Sequence, residues 1–305
     1  MGAYDQRVDA TNRAAAVRPA STTPPGSGAV RSESLFTGLV RACHPGPTAA
    51  VTLLMTALAV SAGHGGRGCV LVGTAVLAGQ LSVGWCNDAV DVRRDLAAGR
   101  YDKPVVSGAI GAGGVRTAAV VALVASVPLS LAGGLLAGCV HLIGVGGAWA
   151  YNLGVKATRL SWLPYAVGFA ALPAFVVLSL PGRAVPAWWV VTAGTLLGVG
   201  AHLGNVLPDI ESDLRAGVRG WPQRLGPART RLLMPVPLAA ASAVLVLGGS
   251  GPLSAASWVA PAAAALTALL SAVLGRRHVR LPFIASILVA GMDVALLVGR
   301  GDSLT

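Results

Sequence analysis

Two short segments of this chain carry carboxylates at a spacing that can hold hard cations. Asn87, Asp91 and Asp95, and again Asn205, Asp209 and Asp213, fall four residues apart. Each triplet runs on into Leu-x-Ala-Gly, so the pattern N-x3-D-x3-D-L-x-A-G occurs twice, 118 positions apart. Residues four apart share one face of a helix, which makes each triplet a ladder about 12 Å long. Asp88 sits on a neighbouring stripe. The chain has 12 acidic residues, and seven of them (Asp88, Asp91, Asp95, Asp102, Asp209, Glu211 and Asp213) lie in or beside these segments. If the ladders face each other, their mutual repulsion demands cations. Oxygen-only donors with no His or Cys placed to compete select Mg²⁺ or Ca²⁺ over Zn²⁺. The expected metal ligands are therefore the carboxylates Asp88, Asp91, Asp95, Asp209 and Asp213.

Bases surround the acids. Arg93, Arg94, Arg100 and Lys103 follow the first motif, Lys156 and Arg159 lie between the two, and Arg215, Arg219 and Arg224 follow the second. Metal-binding acids beside free bases suit a polyanion, and a diphosphate is the natural candidate. Pro208 precedes Asp209, removes a helical hydrogen bond and is expected to kink the chain there, aiming Asp209 and Asp213 inward.

The elements that must hold these ladders are membrane helices. The 305 residues are 54% hydrophobic and 11% charged, with a mean hydropathy of +0.69. A water-soluble domain cannot cover itself with so few polar groups. About nine apolar runs are long enough to span roughly 30 Å of hydrocarbon: 45–63, 68–86, 115–134, 136–153, 163–181, 187–207, 231–249, 255–275 and 281–299. Run length favours helices over a barrel, whose strands alternate apolar and polar residues. Residues 87–114 and 208–230 are the two polar excursions. Residues 1–42, rich in Ala, Ser, Thr, Pro and Arg, are expected to form a disordered tail. Residues 43–300 form one membrane domain and 301–305 a short C-terminal tail.

The net charge of +11 is a topology signal rather than a nucleic-acid footprint. With nine spans, 20 of the 23 Lys and Arg fall on the side that carries the amino terminus and both acidic motifs; only Arg67, Arg183 and Arg300 fall on the other. That bias places the amino terminus and the motifs in the cytoplasm and the carboxyl terminus across a bacterial-type plasma membrane. Cys43, Cys69, Cys86 and Cys139 have no metal-ligand spacing and are read as free thiols. Trp188 and Trp189 open a span as interfacial anchors. Asp293, inside the last span, has no motif partner; His202 or a backbone group is expected to satisfy it.

The motifs resemble those of the UbiA superfamily of intramembrane prenyltransferases. The resemblance rests on N87-D88-A-V-D91-V-R-R-D95 after the second span, then Lys103, Pro104 and Gly108; on Tyr151 with Lys156 at the end of the fourth span; and on D209-I-E-S-D213-L-R-A-G217 with Arg224-Leu225-Gly226. It covers about residues 43–300 and implies an all-α bundle of nine transmembrane helices with two pseudo-repeated acidic motifs. It further implies that Asp88, Asp91, Asp95, Asp209 and Asp213 are the catalytic residues and, with Asn87 and Asn205, hold Mg²⁺ on an isoprenyl diphosphate, with Arg94, Lys103, Tyr151, Lys156, Arg215 and Arg224 as diphosphate ligands. Ionisation would release an allylic cation to an unknown, lipophilic acceptor. A membrane terpene cyclase of the same superfamily, in which a double bond of the substrate captures the cation, is the alternative. Quinone-pathway members often carry Arg-Thr near the position of Lys103, where this chain has Arg100-Tyr101-Asp102. The acceptor therefore does not follow from the resemblance. A transporter fits less well, because the acids cluster at span ends rather than at mid-depth. The Asp-Gly-x2-Ala-Arg signature of CDP-alcohol phosphotransferases is missing.

Overall fold

The computed structural model describes residues 34–182, 184–249, 258–274, 280–300 and 303–304. Among these the chain is all-α. Helix α1 spans Leu35–Ala42, α2 Pro45–Ser61, α3 Gly66–Ala97, α4 Ala112–Leu131, α5 Leu135–Leu153, α6 Leu163–Leu178 and α7 Trp188–Val206. Short helices α8 (Ile210–Arg215), α9 (Trp221–Leu225) and α10 (Pro227–Leu233) lead into α11 (Pro235–Gly248), α12 (Val259–Leu274) and α13 (Arg280–Gly299). The all-α membrane architecture is as expected, and each of the nine apolar runs carries a helix. The number of crossings is a separate matter. Among the described residues five helices are long and apolar enough to cross a membrane, or six if the bent pair α1–α2 counts as one span. Aliphatic residues such as Leu53, Val60, Val121, Val124, Leu136 and Ile143 are exposed on the helices, which is the surface that lipid covers.

Helices α2 to α7 pack largely as sequence neighbours, α11 returns to α7, and α13 closes against α2, α7, α11 and α12. The main core joins Leu58, Val72, Val76, Phe175, Val176, Val190 and Leu245. Small residues let the backbones approach, as is usual where lipid gives helices no hydrophobic reason to associate. A Cβ on Gly198 of α7 would lie 2.3 Å from the Tyr165 carbonyl of α6, so only glycine permits this contact.

Three expectations need correction. Residues 35–42 of the expected disordered tail form α1. Ser34 caps it by accepting from the Thr37 N–H at 3.1 Å. Leu39 and Ala42 bury against Val105, Ile110 and Val115, and the helix turns 69° from α2. Residues 1–33, with the rest of that tail, lie outside the described residues. The first acidic motif does not sit in a polar excursion: α3 continues unbroken through it to Ala97. Of the two expected tryptophan anchors, Trp188 is exposed, but Trp189 is buried in the main core.

Candidate active site

The two acidic segments meet at one end of the bundle, each on its own apolar footing. Under the first, Trp85, Ala89 and Val92 of α3 pack on α1 and the 105–110 turn. Under the second, Leu203, Val206, Leu207 and Ile210 pack against Met234 and Trp221. Pro208 interrupts the second ladder: α7 stops at Val206, a 3-10 turn covers Leu207–Asp209, and α8 begins at Ile210.

Basic side chains tie the segments together. The Arg94 guanidinium lies 3.4 Å from Asp91 and 3.1 Å from Asp213. The Arg100 guanidinium lies 3.6 Å from Asp95 and 2.5 Å from Asp209. Both arginines thus bridge one acid of each motif. Lys103 Nζ sits 2.8 Å from Asp88 and 2.9 Å from Asp95, and Lys156 Nζ donates to Asp91. Asp88, Asp91, Asp95 and Asp213 are buried, whereas Asp209 is one-third exposed. Such buried charges persist only because they are paired.

The two lysines differ. Burial alone would lower the Lys103 ammonium, but hydrogen bonds and charge from Asp88 and Asp95 outweigh it and hold the pKa above the ordinary lysine value. At Lys156 burial dominates over Asp91, and the pKa falls below it.

Of the expected site residues, Asn87, Asp88, Asp91, Arg94, Asp95, Lys103, Lys156, Asp209 and Asp213 join this network. Tyr151 borders it, beside Asp91, Arg94 and Asp213, with its ring 5.2 Å from Tyr165 and 5.8 Å from His202. Asn205 is exposed and lies near the Tyr165 hydroxyl. Arg215 and Arg224 are not drawn in. Both are exposed and donate to backbone carbonyls of their own loop, Glu211 and Arg219.

Four participants were not among the expected ligands. Arg100 was counted only as a nearby base. His44, left-handed at φ 56, reaches Asp88 at 3.0 Å. Gln223 donates to Asp213 at 2.8 Å, and Asn152 accepts from Asn87 at 3.2 Å. The sequence offers a signal only for Arg100, which lies within five residues of a motif aspartate; the others arrive from distant elements.

Asp293 is buried and accepts from Ser242 at 2.5 Å. His202 does not satisfy it, since that ring bonds Ser161 at 3.1 Å. Among the described residues all four cysteines are free.

The network's carboxylate and amide oxygens are the ligand type Mg²⁺ takes. Among the described residues no three acids converge closely enough to hold a metal alone, because each is turned toward a fixed cation. Mg²⁺ needs only one or two carboxylates when phosphate oxygens and water complete its shell, so the donor set fits that ion together with a diphosphate.

Residues 47–287 match the model of the UbiA prenyltransferase family. The chain belongs to the UbiA prenyltransferase family. Its fold is shared with solved members at low sequence identity. A UbiA homologue from Aeropyrum pernix K1, solved in its apo form, superposes with a TM-score of 0.67 at 19% identity, covering 82% of this chain and 97% of that one. A UbiA homologue from Archaeoglobus fulgidus bound to Cd²⁺ gives 0.65 at 16% identity, covering 86% and 98%; the same homologue has been solved with DMAPP and Mg²⁺ and with GPP and Mg²⁺. A digeranylgeranylglyceryl phosphate synthase gives 0.64 at 14% identity, covering 88% and 99%. No curated protein matches the chain significantly in sequence. UbiA membership and the apolar helices make this an integral membrane protein of the intramembrane prenyl-transfer class.

Proposed function

We propose that this UbiA-family member transfers an isoprenyl group from an isoprenyl diphosphate to a lipophilic acceptor, using Mg²⁺ at the acid network. The observation that carries the reading is the pair of cross-motif bridges, Arg94 between Asp91 and Asp213 and Arg100 between Asp95 and Asp209. They join acids of both motifs through shared cations, with Lys103 and Lys156 paired to acids of the first motif beside them. Five carboxylates there face four fixed cations, Arg94, Arg100, Lys103 and Lys156. A diphosphate would add about three negative charges, so the loaded site calls for about two divalent cations. The Archaeoglobus homologue solved with Mg²⁺ and a prenyl diphosphate supports that assignment by analogy.

Asn87, Asp88, Asp91 and Asp95 on one side, and Asp209 and Asp213 on the other, would hold the metal. When bound, Mg²⁺ neutralises the diphosphate and makes it a better leaving group. Carboxylates engaged by metal release their present partners, so Arg94, Arg100, Lys103 and Lys156 become free to bind diphosphate oxygens. The allylic C–O bond breaks, and its electron pair leaves with the diphosphate. The carbon then bonds to the acceptor, which gives up a proton. The rings of Tyr151 and Tyr165 offer π faces to the developing cation, and the apolar helices exclude water from it. The charge bias of the loops supports a cytoplasmic site.

The test is incubation of the purified protein with prenyl diphosphates of several lengths and Mg²⁺, with and without a panel of acceptors, followed by mass spectrometry. Prenylated acceptor and free diphosphate are expected. A cyclic hydrocarbon or alcohol formed without acceptor would instead assign a cyclase. Asp91→Ala and Asp209→Ala should abolish turnover in a folded protein, and wild-type rates in either would overturn the site.

A further inference from the structure

We infer that Asn152, which lies outside both acidic motifs, is a positioning residue. It fixes the side-chain amide of Asn87 so that oxygen rather than nitrogen is left for the metal. The inference rests on the Mg²⁺–diphosphate reading of the acid network.

Asn152 sits in the last turn of α5 and is 3% exposed. Its side chain crosses to α3, where Nδ2 donates to the Val83 carbonyl at 3.1 Å. That bond leaves Oδ1 to accept from Asn87 Nδ2 at 3.2 Å. Asn87 Nδ2 also donates to Asp91 Oδ2 at 3.1 Å. A primary amide has two N–H donors, and both are now used. The orientation of each amide follows from its partners rather than from its shape. Turning Asn152 over would set its oxygen against the Val83 oxygen, and turning Asn87 over would set its oxygen against the Asp91 carboxylate. Either flip exchanges an attraction for a repulsion between acceptors, in a site where burial makes that expensive.

The consequence is chemical. The one group of Asn87 left for a ligand is Oδ1, and a hard divalent cation takes oxygen. Without Asn152, one of the two donors loses its partner, and the amide can rotate its NH₂ toward the metal. The same link steadies Asp91, which also receives Lys156. Asn152 therefore acts on the metal through Asn87, as partners of metal ligands commonly do.

The experiment is electron paramagnetic resonance titration of Mn²⁺ into the full-length protein, with geranyl S-thiolodiphosphate as an unreactive partner. Asn152→Leu is expected to weaken Mn²⁺ binding about 10- to 100-fold. Asn152→Gln keeps both an acceptor for Asn87 and a donor for the Val83 carbonyl and is expected to recover part of that loss. In turnover assays the leucine variant should raise the Mg²⁺ concentration for half-maximal rate by a similar factor, with kcat at saturating Mg²⁺ nearly restored. Thermal unfolding in EDTA identifies any variant that fails to fold, and Asn152→Ala then replaces it. Wild-type Mn²⁺ affinity in folded Asn152→Leu would overturn the inference alone. Absence of Mn²⁺ binding by the wild-type protein would overturn the metal reading with it.

Discussion

Replacing Lys103 by Met separates a cation-binding site from a purely structural salt-bridge cluster. Lys103 Nζ lies 2.8 Å from Asp88 and 2.9 Å from Asp95, and both carboxylates are only 2% exposed. Met keeps the apolar stem and removes the charge. Removing one partner from a buried pair costs about 3–5 kcal/mol, because the other charge stays behind without compensation. His44 at 3.0 Å still faces Asp88, and Arg100 at 3.6 Å still faces Asp95. The lower end therefore applies, about 3 kcal/mol. At about 2 °C per kcal/mol for a chain of this size, Tm in EDTA falls by roughly 6 °C. The two carboxylates then need a cation that Mg²⁺ can supply. At 100 times its Kd, a ligand that binds only the folded state returns about 2.7 kcal/mol. Nearly the whole loss is therefore recovered in Lys103→Met, while the wild-type protein gains less because Mg²⁺ must displace Lys103. The assay is thermal unfolding in detergent by intrinsic fluorescence, with EDTA or with a Mg²⁺ series. A fall in Tm that Mg²⁺ does not reverse would mark the cluster as a structural strut and refute the reasoning.

Other outcomes follow from the same geometry. Arg100→Ala should lower kcat/KM by about 100-fold or more, as expected for truncating one partner of a close charge pair. Arg215→Ala and Arg224→Ala, whose guanidiniums bond only their own loop backbone, should stay within about threefold; steady-state kinetics with one donor ranks the three. On raising pH, Lys156 loses its proton before Lys103, because burial lowers the first pKa while Asp88 and Asp95 raise the second. The protonated form binds the anion, so diphosphate affinity should fall on the alkaline side in a step that Lys156→Arg removes and Lys103→Arg leaves in place. Isothermal titration with inorganic diphosphate and Mg²⁺ across pH 7 to about 10 would read it, and an unchanged profile in Lys156→Arg would contradict the assignment. Gly198→Ala forces a Cβ to within 2.3 Å of the Tyr165 carbonyl; a stability loss of about 1–3 kcal/mol, read as lowered Tm, is expected.

Much of this was legible because lipid simplifies the code. Apolar runs of about 20 residues betray helices whatever packs beside them, and each of the nine runs carries one, while five among the described residues, or six with the bent pair, are long and apolar enough to cross a membrane. The acid ladders were legible for a related reason: carboxylates are rare in such a chain, and four-residue spacing fixes their face. Hidden features depend on contacts distant in sequence. Gln223, His44 and Asn152 hold motif residues, yet none has a local pattern. The segment 35–42 is short and ends a tail rich in Ala, Ser, Thr, Pro and Arg, and it gains its order by burying Leu39 and Ala42 against the 105–110 turn. Arg215 sits four residues from Glu211, and its side chain finds the nearby carbonyl of that residue sooner than a distant acid.

The duplicated pattern also shows how equal sequence can yield unequal structure. In the first copy α3 stays regular, so all three rungs face one side and Asn87 donates straight to Asp91. In the second copy Pro208 removes a backbone donor and tightens the chain into a 3-10 turn. Asn205 lies on the α7 side of that turn, exposed and near the Tyr165 hydroxyl. Spacing alone could not reveal this, because the four-residue rule assumes an unbroken helix. The copies are thus unequal partners: the first is a rigid, amide-locked ladder, and the second is two acids on a bent connector, held by Gln223 and by arginines borrowed from the first. A ligand that bridges the motifs must replace Arg94 and Arg100 at Asp213 and Asp209. On binding, movement should therefore concentrate in the 207–217 segment while α3 stays fixed. Hydrogen exchange with and without Mg²⁺ and a thiolodiphosphate should show new protection there, and equal protection gained along 87–97 would contradict this asymmetry.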